Sequence, residues 1–245
     1  AMAWTDKPVK MLVPAPAGGS IDVIARLVAD QLTTDLGQPM VVENKPGAGG
    51  AIAVQALRAA PADGQTVMMI ASNVLTEIPH VLKGGFDPLK DVKPVGIVAR
   101  ANLVMIAAPN VPAKDFKGFL AYAKKNPGSL SFASYSAGTV SHTLGLELNK
   151  AAGLDMVHAG YKGSPPALQD LIGGNVDMMF DGLGSSAAHI KGGRIKALMV
   201  SGTQRNPAFP DVPCSAELGL KDYQVTTWYG IWAPRGTPAD AMGRA

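Results

Sequence analysis

Short apolar runs, glycine-containing turns and amphipathic stretches follow one another through most of this chain, and that alternation constrains its fold more than any other feature. Lys10 to Val13 reads as a strand, and Ile21 to Leu36 as a helix. Its apolar residues Ile21, Ile24, Leu27, Val28, Leu32 and Leu36 recur at the spacing of one buried helical face, and Gly37 closes it. Met40 to Val42, a helix from Ala51 to Ala60 and the buried strand Val67 to Ile70 continue the pattern. Strands alternating with helices imply a mostly parallel sheet with helices packed on it.

The first strand-to-helix turn, Val13-Pro14-Ala15-Pro16-Ala17-Gly18-Gly19-Ser20-Ile21-Asp22, has its own chemistry. The prolines stop the strand, Gly18 and Gly19 permit a tight turn, and Ser20 is expected to cap the helix. The expected product is a row of free backbone N–H groups at a helix start, suited to a carboxylate or phosphate. The plainer alternative is an ordinary strand-to-helix turn, since the GK[ST] ending of a P-loop is missing. A second turn of this kind, Ser134-Tyr135-Ser136-Ala137-Gly138-Thr139-Val140-Ser141-His142, follows the strand Leu130 to Ala133 and feeds a helix to about Ala152. Gly47-Ala48-Gly49-Gly50 resembles half of a dinucleotide fingerprint, but it neither follows the first strand directly nor precedes a suitably placed acid, so it reads as structural. Asn73, at the end of the third strand, is either a ligand contact or a helix N-cap.

Val95 to Val98 and Leu103 to Ile106 read as two runs joined at Ala99 to Asn102, where a crossing to a second lobe is placed. Beyond it come a helix Phe116 to Lys125, a strand Met156 to Ala159, a helix ending at Ile172, and a strand Val176 to Phe180 with Asp181 at its end. A helix Ser185 to Lys191, a strand Ile195 to Ser201 and a long late β run, Val225 to Ala233, complete the pattern; the last is suited to cross back into the first lobe. The expected division is residues 1–100 plus 225–245 for the first lobe and 101–224 for the second.

A chain of 245 residues with 47% hydrophobic content can bury one large core or two smaller ones. The net charge of +3 comes from scattered Lys and Arg, so no basic stripe suggests nucleic acid. No apolar run approaches the roughly 18–20 residues of a membrane span. Cys214 is the single cysteine, which excludes an intrachain disulfide and a CxxC pair. The Met68-Met69 and Met178-Met179 pairs read as core strand residues, and no cofactor or metal is expected. Gly182-Leu183-Gly184-Ser185-Ser186 sets its serine one place late for GxSxG, which argues against a hydrolase.

Together the stretches VPAPAGGSID from Val13, VVENKPGAGG from Val41, DPLKDVKPVGIVAR from Asp87, SYSAGTVSH from Ser134, GYKGSPPALQDLIGGNVDMMFDGL from Gly160, HIKGGRIKALMVS from His189 and FPDVPCSAELGL from Phe209 resemble, in order, the extracytoplasmic substrate-binding proteins of tripartite tricarboxylate transporters, the Bug family. The resemblance implies an α/β fold of the two-lobed periplasmic-binding-protein (Venus flytrap, type II-like) kind. Each lobe would be a mixed, mostly parallel sheet flanked by helices. It also implies a monomer that is not an enzyme, lies in the periplasm after removal of a signal peptide, and passes a small di- or tricarboxylate or aromatic acid to membrane permease subunits. A carboxylate-sensing protein with a signalling partner is the alternative, followed by an α/β enzyme built on an anion site.

By position, the resemblance places Ala17, Gly18, Gly19 and Ser20 around a ligand carboxylate, with Ser136, Ala137, Gly138 and Thr139 facing them. Asn73, His142, Tyr161 and Asp181 fall on other cleft-lining positions. Taken as residues alone, Tyr161 either donates to a ligand or packs its turn, Asp181 either accepts from a ligand or holds a loop, and His142 either touches the ligand or caps its helix. Two departures bear on specificity: Gly160 replaces a proline usual before the Tyr-Lys-Gly turn, and Gly182 replaces a larger polar residue. The family also continues with further helices beyond the point matching Ala245, so a shortened chain is expected. A micromolar ligand requires about −8 kcal/mol. One helix terminus gives roughly 0.3–1 kcal/mol and a charge-assisted hydrogen bond about 1.5–3 kcal/mol. Several donors are therefore needed, and a hinge that shuts on the anion is the expected way to gather them.

Overall fold

The computed structural model describes residues 6–72, 74, 87, 90, 92–220, 223 and 226–238. Two compact units emerge, Ala1–Arg100 with Trp228–Ala245 and Ala101–Thr227.

In the first unit, β1 (Val9–Val13) pairs in parallel with β2 (Met40–Asn44) and with β3 (Thr66–Ala71), and β3 pairs antiparallel with β9 (Thr226–Pro234). Helix α1 (Ser20–Leu36) connects β1 to β2 and ends on Gly37, whose φ of 71° is the left-handed cap the sequence predicts. Helix α2 (Ala51–Ala59) precedes β3 and buries Ala53, Val54 and Leu57 against Leu12, Met68 and Ile70. The Gly47–Gly50 stretch is structural, as expected. Its four residues have positive φ, and a Cβ on Gly50 would meet Val74 at 3.0 Å and Pro14 at 3.5 Å, so glycine lets this loop close on the first turn.

Strand β4 (Val92–Ala107) corrects the expectation of two separate runs. Ala99-Arg100-Ala101-Asn102 contains no glycine or proline to break the ladder, so the strand continues through it. In the second unit, Leu103–Ala107 of β4 pairs antiparallel with both β7 (Met178–Gly182) and β8 (Lys196–Val200). Strand β5 (Ser131–Ser134) pairs in parallel with β7 and β6 (Val157–Gly160), giving the order β8-β4-β7-β5-β6. The helices α3 (Phe116–Lys125), α4 (Val140–Ala152), α5 (Ser164–Ile172) and α6 (Leu183–Lys191) fill the connections. Asp115 caps α3 by accepting from Gly118 N at 2.7 Å, and Lys124 and Lys125 sit in its last turn, favourable against the helix dipole.

Both cores join strand residues to the buried faces of helices. Met68, Met69, Met178 and Met179 have no solvent exposure, which bears out their reading as core. In the second unit, Phe119, Phe132 and Phe180 join Met105 and Leu148 in one apolar cluster. The ring of Phe132 lies where a side chain at position 145 would otherwise be, and Gly145 on α4 makes room for it.

Candidate functional site

The same turn is built twice, once in each unit. In the first, Ala17-Gly18-Gly19 leads from β1 into α1, with Gly18 at φ 86°. In the second, Ala137-Gly138-Thr139 leads from β5 into α4, with Gly138 at φ 78°. Only glycine adopts this conformation without strain, so each turn depends on its glycine. The residue after each glycine, Gly19 or Thr139, is the N-cap and is extended (φ −70°, ψ 160° and φ −92°, ψ 169°). Neither cap uses a side chain, and Ser20 is therefore the first helical residue of α1, not the cap the sequence suggested. Glycine takes the capping place because its carbonyl accepts from Val23 N at 3.0 Å without a hydroxyl being needed.

A second correction concerns the supposed row of free donors. Gly18 N donates to Asp22 Oδ2 at 2.9 Å, and Gly19 N donates to Pro16 O at 3.3 Å. In the other turn Gly138 N donates to His142 Nδ1 at 3.0 Å. Each turn is thus closed from inside by the residue four places after its first glycine. The amides of Ile21 and Asp22 on α1, and of Val140 and Ser141 on α4, are the first-turn groups that helix geometry leaves without an intrahelical acceptor. Ala17 and Ala137 are exposed, Ser20 and Ser136 half-buried, and Thr139 buried, its hydroxyl donating to Ser136 O at 2.6 Å.

The residue closing the first turn, Asp22, is 2% exposed. Arg26 Nε donates to both of its oxygens at 3.1 Å, and Asn44 Nδ2 donates to Oδ1 at 2.8 Å and to Ala15 O at 2.8 Å. Burial alone would raise this carboxyl, but hydrogen bonds from Asn44, Gly18 and Arg26 outweigh it and hold the group below the ordinary carboxylate range. Asn44 thereby ties the end of β2 to the turn. Asn44→Ala removes these two hydrogen bonds and the one its Oδ1 accepts from Arg26 at 3.0 Å, and is expected to lower stability by about 1–2 kcal/mol, read as a fall of roughly 2–8 °C in thermal unfolding.

The residue closing the second turn, His142, lies in a ring stack. Its imidazole is 3.7 Å from that of His158 on β6 at an interplanar angle of 11°, and Phe132 tilts against both. His158 Nε2 is 2.7 Å from Ser134 Oγ. Burial lowers His142 from its usual range, and burial together with the neighbouring ring lowers His158 to about 4. An ideal Cβ on Gly160 would stand 3.4 Å from His158 Cε1 and 3.9 Å from Ala137, so the family departure at Gly160 abuts this turn.

Two further residues of the expected cleft are engaged inside the second unit. Asp181 has no solvent exposure; its oxygens accept from Ser164 Oγ at 2.6 Å, from Ser185 Oγ at 2.7 Å and from Ser186 Oγ. Of the two roles open to it, the structure supports holding the neighbouring elements, because its acceptor positions are filled by α5 and α6 and no surface remains for a ligand. Burial pushes its carboxyl up, and the three hydroxyls with the Gly182 amide pull it back. Tyr161 is half-buried, and its hydroxyl donates to Asp170 Oδ2 at 2.5 Å. Burial and that carboxylate push the phenol up to about 12. Asn73 lies outside the described residues. Sequence reading missed Asp22, Asn44 and His158; only the shared interval from Gly18 to Asp22 and from Gly138 to His142 pointed to the first.

Known proteins share this arrangement of elements. Periplasmic binding protein BugD is 36% identical with a TM-score of 0.92, matching 98% of this chain and 80% of BugD. An R. palustris protein with adipate (30% identity, TM-score 0.94) covers 98% of this chain and is itself covered to 81%. MatC from Rhodopseudomonas palustris with bound malate (32%, 0.89) covers 98% and is covered to 82%. The α/β fold is that of two-lobed periplasmic binding proteins, as the sequence led us to expect. Residues 24–245 match the tripartite tricarboxylate transporter family receptor. BugT of Bordetella pertussis is 35% identical over 244 residues, covering 97% of this chain and 73% of BugT. A UPF0065 protein encoded in the tcbD-tcbE intergenic region of Pseudomonas sp. strain P51 is 35% identical over 243 residues, covering 99% of this chain and 72% of that protein. The chain belongs to the tripartite tricarboxylate transporter receptor family. No helix among the described residues is long and apolar enough to cross a membrane.

Proposed function

We propose that this chain is a periplasmic solute-binding protein, not an enzyme, that captures a small carboxylate and delivers it as a monomer to the membrane permease of a tripartite tricarboxylate transporter. The observation that carries the reading is the duplicated turn: each unit has one, and each precedes a helix whose first amides lack intrahelical acceptors. Such amides favour an anion through both their hydrogen bonds and the helix dipole. On this reading Ala17 to Ser20 and Ser136 to Thr139 form the turns that present the first-turn amides of Ile21, Asp22, Val140 and Ser141 to the anion, with His142 behind the second set. Adipate and malate in the R. palustris relatives support a dicarboxylate, and family membership supports the permease partner and the periplasmic address.

Thermal unfolding against C4 to C9 dicarboxylates, citrate, acidic amino acids and aromatic acids tests the proposal. A ligand present at 100 times its Kd stabilises by about 2.7 kcal/mol, a rise of roughly 5–11 °C for a chain of this size. The expected result is such a rise for one or a few dicarboxylates. A flat response across the whole panel would remove the carboxylate reading.

A further inference from the structure

The two turns close on different chemistry, yet neither leaves an uncompensated negative charge behind its helix start. In the first unit the closing residue is the carboxylate of Asp22, and Arg26, one turn further along α1, lies across both oxygens. In the second unit the closing residue is the imidazole of His142, and the corresponding place one turn further along α4 is Leu146, apolar and 46% exposed. Four residues after its first glycine, each unit therefore carries a group of net zero charge: an ion pair in one and a neutral ring in the other.

We propose, resting on the carboxylate-binding reading above, that His142 is a positioning residue of the second turn: as a neutral acceptor for Gly138 N it shapes the turn without placing a negative charge beside the first-turn amides of α4. An aspartate would make the same hydrogen bond, as Asp22 does for Gly18. At position 142 its charge would find leucine, not arginine, one turn further along α4, and it would repel an anion at the amides of Val140 and Ser141.

Several features hold His142 in the required state. Gly138 N donates to Nδ1, so that nitrogen carries a lone pair and the ring proton belongs on Nε2. The parallel ring of His158 at 3.7 Å opposes protonation of both imidazoles together, since two charges in such a stack repel. His158 is itself anchored at Ser134 Oγ, in the strand that leads into the turn. The depressed basicity of both rings agrees with this arrangement. His142 acts here from behind the turn, through the glycine amide.

The first unit supplies the design of the test. His142→Asp should keep the turn, because aspartate already closes the equivalent one, and His142→Asn keeps a neutral acceptor. His142→Asp with Leu146→Arg transplants the ion pair of α1 onto α4, where the half-exposed Leu146 site admits a long charged side chain. Calorimetric titration of each variant with adipate and with malate, on protein whose unfolding temperature has been measured, gives the comparison. His142→Asn should bind each acid more tightly than His142→Asp. His142→Asp should lose about tenfold or more in affinity, and the double variant should recover most of it. Equal binding by His142→Asp and His142→Asn, or a double variant no better than His142→Asp, overturns the inference while the carboxylate reading stands. Absence of binding by the wild type to either acid and to the wider panel removes both.

Discussion

Asp181→Ala is expected to be the most destabilising single change in the second unit, lowering stability by about 3–5 kcal/mol. The reason is the number of groups that depend on one carboxylate. Ser164 opens α5, Ser185 and Ser186 belong to the first turn of α6, and all three hydroxyls point at the end of β7. Each serine is buried, so removal of the acceptor leaves donors that water does not reach. At roughly 2–4 °C per kcal/mol for a chain of this length, the unfolding midpoint should fall by about 6–20 °C. Asp181→Asn keeps a carbonyl oxygen of the same size and should cost clearly less, while Ser186→Ala, which removes one donor and leaves the carboxylate two hydroxyls and the Gly182 amide, should cost less again. A ligand-site role predicts the reverse pattern, with stability unchanged and affinity lost. Differential scanning calorimetry of the three variants, beside titration with the best acid of the panel, separates the two accounts.

The difference between what the sequence disclosed and what it hid follows the range of the interactions. The alternation of elements, the left-handed cap at Gly37, the proline stop after β1 and the pair of glycine turns all depend on residues within a few places of one another, and each is visible as composition or spacing. The continuation of β4 through Arg100 was hidden because two apolar runs with polar residues between them resemble two separate strands until the absence of turn residues is given its weight. The closing of the first turn needs Asn44, 22 residues from Asp22 and on another strand. The histidine stack joins α4 to β6 across 16 residues, and nothing in the spacing of two histidines announces it. Asp181 was ambiguous for a different reason. A carboxylate after a strand is a common ligand group and also a common helix anchor, and only the positions of three serine hydroxyls decide between them. Buried polar groups are settled by who reaches them, which a linear sequence leaves open.

The packing behind the histidine stack gives the second large effect. Gly145 faces the ring of Phe132, and a Cβ at that position would lie 2.2 Å from Cε2, 2.4 Å from Cδ2 and 2.9 Å from Cζ. Helix propensity favours alanine over glycine by about 1 kcal/mol, so on propensity alone Gly145→Ala would stabilise α4. Overpacking opposes it: Phe132 has no exposure, lies in the middle of β5 and contacts both imidazoles, so it yields only by moving its neighbours, at a cost of about 1–3 kcal/mol. Where the collision is this deep, the upper part of that range applies and the variant is expected to be destabilised by about 1–2 kcal/mol net, with weakened acid binding as the displaced ring disturbs His142 and through it Gly138. Phe132→Leu alone costs roughly 1 kcal/mol through lost packing, but it also empties the space that the new methyl group needs. The double variant should then be more stable than the sum of the two single effects by about 1 kcal/mol or more, a coupling that a thermodynamic cycle measures directly. Additive effects, or a Gly145→Ala protein more stable than the wild type, would show that α4 moves away from the sheet without strain and that Phe132 does not transmit the packing of this helix to the turn.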